Sequence, residues 1–232
     1  TVTLPAGRQI IEPDALAYLR RLGVPMPANG NRGGTLKVGV RGVTSLSEVA
    51  ATVRTTTAVS NGRAGLAYAG IPVFKALSGP VYIHGLRENE SDRSNLALQN
   101  AGDASDGNVT LRVTVLASSF NGRRVEDDVT LPPGGFAQLN GVLRANKDGY
   151  AKVERVGGTA PWYAYGVVND ATTSDGSFIP PIVVTDVDVR ELIVPVVVET
   201  GVYSTELVVT TLSEGWSVIG ADLALAFVSD QV

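Results

Sequence analysis

The sequence repeats itself, and that repetition limits the possible folds more tightly than its composition does. Thr3, Leu4, Pro5, Ala6 and Gly7 return as Thr130, Leu131, Pro132, Pro133 and Gly134. In both copies a short segment with helical apolar spacing comes next, over 10–22 and 136–143. A strand-like stretch with a Lys-Val pair follows, Lys37 with Val38 and Lys152 with Val153. Then come a second strand, a turn at Ser60, Asn61, Gly62 or Ser174, Asp175, Gly176, and a close on Ile-Pro (Ile71, Pro72; Ile179, Pro180). Residues 94–100 match 205–211, and Leu111, Val113, Val115 match Leu223, Leu225, Phe227. The chain therefore reads as the back of a module (1–75), a whole module (76–184) and the front of a module (185–232). Front and back together have the length of one module, in circularly shifted order.

Each module needs a core. A chain of 232 residues, 44% hydrophobic and 18% charged, has enough apolar material for two. A formal charge of -4 with scattered basic residues gives no electrostatic reason to expect nucleic acid, which requires a basic stripe. The chain has no cysteine, so disulfide staples and thiolate metal sites are excluded. No apolar run approaches the roughly 20 residues of a membrane span. The longest, 192–198, is interrupted by Pro195 and is predicted to be a buried strand. A start at Thr1, with neither Met nor signal peptide, is expected of a chain that was processed or cut from a longer one. Abundant Val, Thr, Ser, Gly and Asn with little Lys suits an exported all-β protein.

Local patterns set the elements. Pro13 and Asp14 open a helix whose face is Ala15, Leu16, Leu19 and Leu22, and Gly23 stops it. Leu36, Val38 and Val40 alternate with Lys37 and Arg41 over 35–43, the pattern of a half-buried strand; 49–59 is a second one. Strands are expected over 81–86, from 96, and over 109–117, where Val109, Leu111, Val113 and Val115 point inward and Thr110, Arg112 and Thr114 outward. Asn121-Gly122 turns that last strand back into 124–131, and Asp148-Gly149 and Asp175-Gly176 mark further turns. Many short strands with frequent turns indicate a β-sandwich.

The run from Leu131 through Pro132, Pro133, Gly134, Gly135 and Phe136 carries a resemblance, with Gly149, Tyr150, Ala151, Lys152, Val153, Glu154, Arg155 and Val156. So does the run Thr159, Ala160, Pro161, Trp162, Tyr163, Ala164, Tyr165, Gly166, Val167, Val168, Asn169, Asp170, with Ser174 to Phe178 after it. Together they resemble a β-sandwich module found in tandem in large secreted or surface proteins of soil bacteria. The resemblance is best over 80–182 and fades over 1–75. It implies an exported, non-enzymatic sandwich, with no catalytic residues to carry over.

Chemistry-bearing residues are few. His84 is the sole histidine and sits in a strand with no Gly-x-Ser-x-Gly elbow in the sequence, so a hydrolytic triad is not expected. Asp103, Asp106 and Asn108 have the composition of a calcium loop but lack its alternating ligands and distal Glu. Turn chemistry accounts for them better. Glu88, Asn89, Glu90 and Asp92 form a second acidic loop with the same two readings. Glu126, Asp127 and Asp128 read as a charged strand edge that blocks unwanted pairing. Trp162, Tyr163 and Tyr165 form the one aromatic cluster, with Trp162 on one face and the tyrosines on the other. One face is core, and the other is a candidate platform for sugar or protein.

The reading is an all-β protein of two Ig-like β-sandwich modules, each with one short helix. Residues 76–184 form one module, and 1–75 with 185–232 form the other, closed within the chain or by strand donation. The expected function is structural: an extracellular or cell-surface subunit, non-enzymatic, that self-assembles head to tail with copies of itself or acts in adhesion. No cofactor is required, with calcium the one candidate. The assembly strands would present Leu192, Val194, Val196, Val198, Leu207 and Val209. The alternative is a carbohydrate- or ligand-binding surface module using Trp162, Tyr163 and Tyr165.

Overall fold

The computed structural model describes residues 2–30, 34–43, 49–72, 75–117, 124–144, 147–183, 192–212, 224 and 226. The chain divides into two compact units, 1–33 and 34–232. Within the first, helix α1 spans Ala15–Arg21. Asp14 caps it by accepting from Ala17 N at 2.8 Å, and Arg20 and Arg21 lie where the helix C-terminus favours positive charge. Gly23, at φ 85°, ends it. The predicted apolar face is in place, but α1 has no buried residue.

The second unit is built of antiparallel strands. Strands β1 (Thr52–Val59) and β2 (Gly62–Ala69) form a hairpin closed by Ser60 and Asn61. After it come β3 (Val81–Arg87), β4 (Asp92–Asn100), β5 (Val109–Ala117), β6 (Arg124–Leu131), β7 (Phe136–Leu139), β8 (Asp148–Gly157), β9 (Trp162–Asp170), β10 (Gly176–Ile179) and β11 (Ile182–Val183). These make a five-stranded sheet in the order β11-β3-β8-β5-β6 and a four-stranded sheet in the order β10-β9-β4-β7. The two sheets enclose one core, so this region is a β-sandwich. Val81, Ile83, Leu86, Leu111, Val113 and Val153 reach it from the five-stranded sheet, and Leu96, Leu98, Trp162 and Ala164 from the other. On β5 the inward residues are those that the alternation predicts; on the other face Thr110 and Arg112 stay half-exposed, but Thr114, expected outward with them, is buried.

Several expectations are corrected. The segment 136–143 is not a helix: β7 pairs Phe136 with Gln99 and Leu139 with Leu96, and a turn follows. Among the described residues α1 is the one helix, so the two copies do not each carry one. Asp148-Gly149 is not a turn but the start of central strand β8, because both edges of that strand are taken by β3 and β5. Residues 35–43 join no ladder, and Leu36 and Val38 are exposed. The segment 192–198 is not a buried strand: it joins no ladder, and Leu192 is 82% exposed. The Asn121-Gly122 turn and the residues Leu223, Leu225 and Phe227 lie outside the described residues.

Candidate functional site

The aromatic cluster divides as alternation requires. Trp162 is fully buried between the sheets, and its Nε1 finds no acceptor among the described residues. Tyr163 and Tyr165 project from the opposite face of β9. There the hairpin β1–β2 meets the sandwich: Tyr68 stands edge-on to Tyr165 at 5.5 Å and to Phe178 at 6.1 Å. Gly65 N donates to Asp175 Oδ1 at 2.9 Å beside them. Burial, then neighbouring Tyr68, pushes the Tyr165 hydroxyl far above the ordinary tyrosine range, and burial raises Tyr163. The three rings therefore do not share a surface, and Tyr165 is occupied by Tyr68 and Phe178.

The acidic candidates are engaged in turns. Asp103 Oδ1 accepts from Ser105 N at 2.9 Å and Ser105 Oγ at 2.7 Å, which holds its carboxyl below the ordinary range. Asp106 Oδ2 accepts from Asp103 N at 2.8 Å, and Asn108 is exposed after the same turn. Among the described residues no group of three or more His, Cys, Asp or Glu side chains is arranged to hold a metal. On edge strand β6, Asp128 forms a two-pronged pair with Arg112 (2.8 and 2.9 Å), and Asp127 meets Arg144 at 2.7 Å. His84 is half-buried in β3, its Nδ1 without a partner among the described residues.

The most informative geometry lies at the passage from β3 to β4, where the chain crosses between sheets. Ser94 Oγ accepts from Arg87 N at 2.7 Å and donates to Arg87 O at 2.7 Å. Inside that clasp, Asn89 N donates to Asp92 O at 2.9 Å, and Asn89 Oδ1 accepts from the backbone of Ser91 and Asp92. Near the other end of the chain the whole arrangement recurs, residue for residue. Thr205 Oγ1 accepts from Val198 N at 2.8 Å and donates to Val198 O at 2.8 Å. Thr200 N donates to Tyr203 O at 2.9 Å, and Thr200 Oγ1 accepts from the backbone of Val202 and Tyr203. Chemically different side chains, Ser and Asn against Thr and Thr, thus form the same clasp, a second crossing in its hydrogen bonds alone, since neither 192–198 nor 205–211 joins a ladder.

A second local match sits in the first unit. Arg8 N donates to Pro5 O at 3.1 Å as Gly135 N does to Pro132 O at 2.8 Å, and Gly7 and Gly134 both take φ 68°. What differs is burial around the crossing. Leu96 and Leu98 follow the first crossing with no exposure, whereas the residues in the same places after the second, Leu207 and Val209, are 53% and 48% exposed. Val194, Val196 and Val198 are exposed as well, and none of the six expected assembly residues lies in a ladder. The sequence matched 94–100 with 205–211 but did not reveal the crossing, because its hydrogen bonds rest on side-chain oxygens and not on identical residues.

No protein-family model and no curated protein matches the chain. Among solved structures it is similar to Thermotoga maritima 1070, at 15% identity over 44% of this chain and 92% of that chain, with a TM-score of 0.34. At that score the likeness carries no argument about fold or function.

Proposed function

We propose that this chain is an extracellular or cell-surface structural protein, a self-assembling or adhesive subunit built from repeated Ig-like β-sandwich modules. In this reading 76–184 is one complete module. Residues 1–75 and 185–232 are the back and front of another, in circularly shifted order. The observation that carries the reading is the second crossing at 198–205, folded like 87–94 but flanked by exposed Val, Leu and Ile instead of a core. Apolar side chains exposed in a row are costly in water, about 1.5–3 kcal/mol for each large one left uncovered, and a partner that covers them is strongly favoured. The composition, rich in Val, Thr, Ser, Gly and Asn with little Lys, fits an exported assembly.

The alternative, a carbohydrate- or ligand-binding module, draws no support from the positions of Trp162, Tyr163 and Tyr165, since the first is core and the third lies under Tyr68. Light scattering and negative-stain microscopy of the purified chain test the assembly reading. Filaments or sheets are expected, and their loss in Leu207→Asp/Val209→Asp. A compact particle of one chain's mass across the accessible concentration range would refute it.

A further inference from the structure

Two segments of the second unit are left unpaired, and each has a counterpart that is paired in the sandwich. Segment 192–198 leads into the repeated crossing as β3 leads into the first one. Segment 35–40 carries the Lys37-Val38 pair, the counterpart of Lys152-Val153 in β8. In the sandwich β3 and β8 are neighbours: Val81 lies opposite Val153, Tyr82 opposite Lys152 and Ile83 opposite Ala151. Carrying that register through the repeat puts Leu192 opposite Val38, Ile193 opposite Lys37 and Val194 opposite Leu36. The faces agree. Leu192, Val194, Leu36 and Val38, all now exposed, fall on the core side, where Val81, Ile83, Ala151 and Val153 have no exposure at all. Lys37 falls on the outer side with Lys152.

Within one chain the two segments are anchored far apart. Lys37 Nζ donates to Gly102 O at 2.7 Å and Thr35 Oγ1 meets Gln99 Nε2, both just at or past the end of β4. The second crossing is held at the end of β3, where Glu206 pairs with Arg87, which also meets Asp92 at the start of β4. At ~3.3 Å per residue the length of β4 separates these anchors by roughly 25 Å, and within the chain neither segment joins a ladder with the other.

We propose that segment 192–198 of one chain pairs antiparallel with segment 35–40 of a second copy, Ile193 opposite Lys37, in the register of β3 on β8. This deepens the assembly reading and rests on it. A contact between two different surfaces of the same chain runs head to tail, so repetition generates a filament wherever the rotation between copies does not close into a ring. The pairing is strand addition, in which backbone hydrogen bonds give affinity and alternate side chains give specificity.

The lack of cysteine makes the register directly testable in the 232-residue chain. Directly opposed residues of an antiparallel pair have Cα atoms about 4.5–5.5 Å apart, within the range a disulfide spans. A mixture of the single variants Ile193→Cys and Lys37→Cys, oxidised mildly, is expected to give a disulfide heterodimer on a non-reducing gel. The double variant is expected to give a ladder of multimers. Ile193→Cys mixed with Gly39→Cys, two residues out of register, is expected to give at least tenfold less heterodimer. Where Lys37→Cys itself lowers assembly, Leu192→Cys with Val38→Cys reads the same register. A disulfide formed only inside single chains of the double variant overturns the second copy as occupant. Polymers without the heterodimer overturn the register and leave the assembly reading standing; a chain that is monomeric throughout overturns both.

Discussion

Asn100, at the end of β4, is the most heavily committed buried polar side chain among the described residues. It has no exposure, and its Nδ2 donates to Gly107 O at 3.0 Å and to Leu131 O at 3.1 Å. Its Oδ1 accepts from Gly102 N at 2.9 Å. Since β4 belongs to one sheet and Leu131 to the other, the amide pins the two sheets together. Asn100→Ala strands two fully buried backbone groups, the Gly102 N–H and the Leu131 carbonyl, and a third at half-buried Gly107. At about 1–3 kcal/mol for each buried orphan, the expected loss is about 2–5 kcal/mol, a large share of the ~5–15 kcal/mol available to a domain. Urea unfolding followed by tryptophan fluorescence, at a concentration low enough to avoid assembly, measures it. Asn140→Ala, on the exposed surface, is expected within about 0.5 kcal/mol of the parent. Asn100→Asp sharpens the test. Its carboxylate would still accept from Gly102 but would face two carbonyls, so it is expected to be as damaging as Ala at neutral pH and to recover partly on protonation. A loss below about 1 kcal/mol for Asn100→Ala would refute the pin.

Ser94→Ala and Thr205→Ala remove the same clasp from the two crossings, with different consequences. The first, in the buried copy, is expected to cost about 1–3 kcal/mol in urea unfolding; the second is expected to leave unfolding unchanged and reduce polymer mass in sedimentation. Asp103, Asp128 and Asp170 are held below the ordinary carboxylate range, by hydrogen bonds from Ser105, Arg112 and Thr173 respectively. A depressed folded pKa gives stability that is present above the unfolded pKa of about 3.9 and lost as pH falls through the folded one. Unfolding free energy is therefore expected to be flat from neutral pH down to about 5 and to fall below about 4, less steeply in Asp128→Asn. For Tyr165 the sign reverses: a raised folded pKa gives stability present below the unfolded value of about 10 and lost as pH climbs past it. Tyr165→Phe keeps the ring against Tyr68 and is expected to lessen the alkaline loss seen by circular dichroism.

The parts of the fold legible in the sequence are those fixed by period two. Val109, Leu111, Val113 and Val115 alternate on β5, and Trp162 and Ala164 against Tyr163 and Tyr165 on β9, because each strand has one face on the core. Segment 136–143 misleads because Phe136, Leu139, Val142 and Leu143 also fit a helical stripe. What decides for a strand is the open edge of β4, a tertiary fact. Gly149 misleads for a related reason. A Cβ there would lie 2.4 Å from Leu116 O, so the glycine permits close approach of β5 and β8 and makes no turn. The aromatic face of β9 is visible in the sequence, but its cover, Tyr68, comes from a distant hairpin that no local pattern connects to it.

The pairing of β11 with β3 also determines how the sandwich bears load. Val183, the last residue of β11, lies opposite Val81, the first of β3, so the five-stranded sheet is entered and left at neighbouring positions. Tension applied through those two residues pulls the strands apart sideways and loads the ladder bonds one after another. Strands pulled along their length would share the load across all their bonds at once. The first seam to open has only two residues in β11. Loaded through Val81 and Val183, the sandwich is expected to yield by peeling at low force and to extend, where strands pulled along their length would hold as a stiff strut.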